Sequence, residues 1–109
     1  MAYSQALAER VRQALRTHRG VTEKKLFGGV GFMLGGNLLV CVWQQSLIVR
    51  LGREKAATAL KQDHVREFDV TGRPMKGWIM VDPNGLDTDK QLADWVEQAL
   101  AFVETLPVK

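Results

Sequence analysis

At 109 residues, 46% hydrophobic and 25% charged, the chain has the length of one domain and the balance of an ordinary folded globule. No apolar run reaches membrane-span length, the N-terminus MAYSQALAERVRQ lacks the pattern of a secretory signal, and one cysteine, Cys41, excludes an intramolecular disulfide, so a cytoplasmic protein is expected. The net charge of +3 is unevenly divided, with seven Lys/Arg against two Asp/Glu through Arg50 and eight against ten after it, which permits nucleic-acid contact without demanding it.

Ser4 is placed to cap a first helix to about Thr17, with Leu7, Val11, Ala14 and Leu15 on one stripe and Gly20 as its stop. Arg12, Arg16 and Arg19 line its flank, as a solvated edge or a phosphate-facing row; His18 lies near the apolar side, where packing is the simpler role.

From Glu23 to Leu51 short apolar runs alternate with glycine or polar breaks at hairpin spacing, and this stretch organises the fold. Strands are expected over Glu23–Phe27, Val30–Leu34, Leu38–Trp43 and Leu47–Leu51, joined at Gly28-Gly29, Gly35-Gly36-Asn37 and Gln44-Gln45-Ser46 as an antiparallel meander. LLVCVW is apolar almost throughout and reads as a buried central strand in which Cys41 acts as a small hydrophobe. Arg50, in the run LIVRL, must reach water, a carboxylate such as Asp69, or an anionic ligand.

A short helix follows over Arg53 to about Gln62, its thin apolar side suiting an edge of the sheet. Glu67–Val70 reads as a short strand, Thr71-Gly72-Arg73-Pro74 breaks regular structure, and Trp78–Val81 makes a last strand ended by a turn at Asp82-Pro83-Asn84-Gly85. The final helix, Thr88 to Val103, carries Leu92, Trp95, Val96, Ala99 and Val103 on one face, with Asp87 or Thr88 as N-cap. The element order is α-β-β-β-β-α-β-β-α in one domain over residues 1–109, an α+β class whose helices would cover the sheet.

Familiar chemistries find no matching pattern. Gly28-Gly29-Val30-Gly31 lacks the lysine and Ser/Thr of a phosphate loop, and Leu34 stands where a dinucleotide fingerprint needs glycine. His18, His64 and Cys41 have no metal-ligand spacing, Leu92 occupies the glycine position of a calcium loop, and Ser4 and Ser46 lie outside any nucleophile elbow. No catalytic residue, metal or cofactor is therefore expected. Cations and a flat ring remain in odd places, Arg50, Arg73, Lys76 and Trp78, which form either a partner- or anion-binding surface or a core tryptophan among solvated charges.

The segments KKLFGGVGFMLGGNLLVCV and FDVTGRPMKGWIMVD together resemble the N-terminal domain of the TfoX/Sxy family. Phe27, Gly28, Gly29, Arg73, Pro74, Met75, Gly77 and Trp78 carry the motif, while Leu26 stands where members often have methionine. The resemblance implies a two-layer α+β fold, an antiparallel sheet with helices packed on one face, similar to type III secretion chaperones, and by that analogy a two-fold homodimer. Long members are regulators of natural competence acting on transcription, with a C-terminal domain for which no counterpart is expected here, and the family implies no chemistry.

The leading expectation is a non-enzymatic cytoplasmic regulator or adaptor working through protein or protein-DNA contacts. The alternatives are direct nucleic-acid binding through Arg12, Arg16, Arg19, Lys24 and Lys25, and a small-molecule-binding domain under the glycine hairpins.

Overall fold

The computed structural model describes residues 3–26, 28–69, 72 and 75–108. Its elements run α1 (Gln5–Leu15), β1 (Val21–Leu26), β2 (Gly29–Leu34), β3 (Asn37–Trp43), β4 (Ser46–Arg50), α2 (Arg53–Ala59), β5 (Val65–Glu67), β6 (Trp78–Val81), a 3-10 turn (Pro83–Leu86) and α3 (Asp89–Val103). This is the α+β order read from the sequence.

The sheet is open, six-stranded and antiparallel, in the order β1-β2-β3-β4-β6-β5. Its first four strands are the expected meander, and Gly35 and Gly36, both at positive φ, form the tight β2–β3 turn. The chain then leaves through α2, lays β5 on the outer edge and returns with β6 against β4, pairing Val49 with Ile79 and Arg50 with Trp78. Edge strand β1 exposes Thr22, Glu23, Lys24 and Lys25, and charge of this kind discourages edge-to-edge pairing.

Alternation along the strands divides the apolar residues between two faces. Val30, Phe32, Val40, Val42, Leu47, Val49, Ile79 and Val81 pack under the helices, against Leu7, Val11 and Leu15 of α1 and Leu92, Trp95, Val96, Ala99 and Val103 of α3. On the helix-free face, Leu38, Cys41, Ile48, Phe68 and Met80 form a second buried cluster flanked by Leu26, Met33, Trp43, Met75 and Trp78. Phe68, just after β5, joins residues of β3, β4 and β6 in that cluster, Met75 packs against it, and no helix residue is among its described members.

Helix ends follow their caps. Ser4 accepts the Leu7 amide at 3.1 Å, and at α3 Thr88 and Gln91 form a reciprocal capping box with bonds of 3.1 and 3.0 Å. α1 stops at Leu15, short of Gly20, because the chain turns there to enter β1, and His18 reaches Glu97 of α3 at 3.6 Å. α2 ends at Ala59 rather than Gln62, with Lys61 and Gln62 amides bonded back to the carbonyls of Thr58 and Ala59 in a tightened turn. β5 is Val65–Glu67, so of the strand expected over Glu67–Val70 only Glu67 belongs to it: Val65 pairs with Val81 and Glu67 with Ile79, Phe68 and Asp69 follow the strand, and Val70 and Thr71 lie outside the described residues.

Candidate functional site

The site is assembled where β4 ends. Antiparallel pairing sets Arg50 opposite Trp78, and the Gly77 carbonyl accepts the amides of both Leu51 and Gly52, at 2.9 and 3.0 Å, which fastens the turn before β6 to the exit of β4. The Met75 amide donates to the Phe68 carbonyl at 3.0 Å and the Trp78 amide to the Met75 carbonyl at 3.2 Å, so Phe68, Met75 and Trp78 are tied to one another through the backbone. The Phe68 and Trp78 rings are tilted by 54° with centroids 6.0 Å apart.

From the other side α3 contributes Phe102. Its ring lies so close to Gly52 that a Cβ there would come within 2.7 Å of Phe102 Cε1. Glycine at 52, with φ of +86°, is what lets the ring reach the end of β4. The Arg50 guanidinium carbon then lies 5.1 Å from the Trp78 centroid and 5.7 Å from that of Phe102, within cation-π range of both.

No described carboxylate is in ion-pair range of Arg50: the pairing with an acid such as Asp69, one of the outcomes open to it, does not form, and the guanidinium lies over two rings instead. Burial against those rings pulls the Arg50 pKa down, the direction for a cation losing water without gaining a counter-charge.

Two clefts border the cluster. One, of about 380 Å³, is mostly apolar and lies between α3 and the start of α2, with Leu51, Ala101 and Phe102 in its wall and Arg53 and Lys55 at its rim. The other, of about 320 Å³, runs between α2 and the turn before β6, lined by Arg53, Leu60, Glu67, Met75, Lys76 and Trp78 among others. Arg53 borders both.

This arrangement spans most of the chain, and so does its likeness to known sequences: residues 13–103, from within α1 to the last residue of α3, match the TfoX N-terminal domain. The chain belongs to the TfoX N-terminal domain family. No curated protein and no solved structure matches it.

Within this TfoX N-terminal domain the residues singled out in the sequence separate into groups. Arg50 and Trp78 are in contact, and Lys76 lines the same cleft as Trp78 and Met75. Arg73, Pro74 and Phe27 lie outside the described residues. Gly28 takes the turn position at φ +80°, and Gly29 starts β2 where β3 runs close beside it. Gly77 supplies the carbonyl described above.

The basic row is altered by its neighbours. Arg12 is held by Glu23, through Nε–Oε2 and Nη2–Oε1 contacts of 2.8 and 2.9 Å, and by Glu9 at 3.2 Å. Those bonds raise the Arg12 pKa and lower that of Glu23. Arg16, Arg19, Lys24 and Lys25 are exposed, and Lys24 and Lys25, adjacent in β1, belong to opposite faces of the sheet.

Cys41 is fully buried, and desolvation pushes its thiol up to about 12, which suits the packing role read from the sequence. Phe102 and Arg53 are the site residues that sequence reasoning missed. Phe102 adjoins Val103 at the flank of the helical stripe, and only the fold reveals that this flank meets the end of β4.

Proposed function

We propose that this TfoX N-terminal domain is a non-enzymatic regulator or adaptor of the cytoplasm that works through contacts with a protein, or a protein-DNA complex, in transcription- or competence-related control. The observation that carries this reading is the cluster at the end of β4: a cation with no carboxylate among the described residues in ion-pair range, lying over two rings whose adjoining clefts are lined by Arg53, Lys55 and Lys76. Partly buried rings and arginines are the residue types that dominate protein recognition sites. The family match supports the regulator class. The direct nucleic-acid reading is weakened because Arg12, the first residue of its basic row, is already paired with two carboxylates.

The test is to immobilise the intact chain and compare bound cytoplasmic proteins with those held by Lys76→Glu and Arg50→Gln, each first shown by circular dichroism to be folded. A partner retained by the parent and released by both substitutions is the expected result. An unchanged set of partners on both would refute the surface.

A further inference from the structure

We propose that the cluster of Arg50, Trp78 and Phe102 is a binding site for a carboxylate carried on an apolar or aromatic group. A guanidinium has five N–H donors and no acceptor, and those of Arg50 meet no described acceptor. The rings of Trp78 and Phe102 stabilise the charge through their π faces but accept none of these hydrogens in the ordinary sense. The fork of donors therefore remains for an oxyanion, and a planar carboxylate with two oxygens matches it bidentately.

The surroundings select the rest of the ligand. Arg53 and Lys55 border the larger cleft together with Glu54, and Arg53 and Lys76 border the smaller one together with Glu67. That positive surplus is small and suits a single negative charge better than a phosphate dianion. Arg50 does not line this cleft itself, but Phe102, whose ring it lies over, walls it with Leu51 and Ala101, and the space of about 380 Å³ offers room for an apolar body, within the range of small-ligand sites. Such a group is supplied either by an acidic residue beside a large apolar one in a partner protein or by a free aromatic or aliphatic acid. The first source rests on the adaptor reading above; the chemistry of the site does not.

The experiment follows the Arg50 Nε–H and Trp78 indole N–H resonances of the intact chain by nitrogen-proton NMR. The probes are sodium phenylacetate, sodium acetate, inorganic phosphate, the blocked peptide acetyl-Leu-Phe-Glu-Leu-amide and its Gln counterpart. Saturable shifts are expected with phenylacetate, with the Glu peptide, or with both. Acetate, phosphate and the Gln peptide are expected to bind at least about tenfold more weakly, and Arg50→Gln and Arg50→Met to remove the response. Binding of both phenylacetate and the Glu peptide supports the site and the adaptor reading together. Phenylacetate binding without the peptide keeps the site and removes the adaptor reading's claim on it.

Three results overturn the proposal: no saturable shift with either carboxylate probe, phosphate binding as tightly as they do, or shifts that persist in Arg50→Gln. Should both Arg50 substitutions unfold the chain, the comparison of Glu and Gln peptides on the parent protein decides alone, equal affinity overturning it.

Discussion

Gly29→Ala is a direct probe of why glycines recur in the hairpins. A Cβ built at Gly29 falls 2.0 Å from the carbonyl oxygen of Val42 and 3.0 Å from its carbon, and both are backbone atoms of a central strand rather than the end of a movable side chain. Ordinary contact needs more than an ångström of separation between β2 and β3, which pair from Val30↔Val42 onward. Overpacking in a filled interior costs about 1–3 kcal/mol and occasionally more. Loss of one ladder hydrogen bond adds about 1 kcal/mol, so a total of about 3 kcal/mol is expected, or roughly 12–20 °C in Tm for a domain of this size.

Gly28→Ala is the matched control. Its φ of +80° is unfavourable for alanine, but no atom of the described residues lies within 4 Å of the added one. The left-handed conformation costs about 1–2 kcal/mol, and part of that is offset by the stiffer unfolded chain. Urea unfolding monitored by tryptophan fluorescence measures both, and Gly29→Ala is expected to be the more damaging by about 2 kcal/mol. Equal losses, or a larger loss at Gly28, would refute the assignment of Gly29 to close strand approach.

Three further outcomes follow from particular contacts. The Arg12 hydrogen bonds depress the Glu23 pKa in the folded chain, so their stabilisation is present above the unfolded carboxyl value and is lost as pH falls through the folded one. With side chains 36% and 40% exposed the pair contributes no more than about 1 kcal/mol, and Glu23→Gln is expected to reduce the stability lost on acidification, measured by urea unfolding, by up to that amount; an unchanged acid loss would contradict it. Cys41, with its thiol raised to about 12 and no exposed surface, is expected to resist a disulfide reagent at pH 8 until denaturant is added, and prompt labelling of the native chain would contradict its place in the second cluster. Thr88→Ala removes half of the capping box and is expected to lower stability by about 1 kcal/mol in thermal unfolding, whereas no loss would show that the α3 start is held by packing alone.

What the sequence disclosed was mostly local. The glycine and polar joints between apolar runs mark four hairpin strands, and the spacing of Leu92, Trp95, Val96, Ala99 and Val103 marks the face of α3, because strand and helix periods are written into neighbouring residues. Sheet order was less legible. That β6 enters between β4 and β5 depends on pairings such as Val49↔Ile79 between strands separated by α2, which no local period encodes.

The site was half visible. Arg50 stands out as a cation in an apolar strand, and Trp78 as a ring after a glycine. Neither reveals that the guanidinium meets Phe102, some fifty residues away in the chain, rather than a carboxylate such as Asp69. The same applies to Arg12, whose place in a basic row is plain while its neutralisation by Glu23 appears only once α1 packs beside β1.

A double-mutant cycle on an identified partner tests most directly that Arg50, which no described carboxylate pairs, takes one from outside. Arg50→Gln and exchange of the partner's acidic contact residue for its amide would be measured singly and together by calorimetric titration. A coupling of about 1.5–3 kcal/mol between the two is the expected result. Additivity within about 0.5 kcal/mol would contradict it.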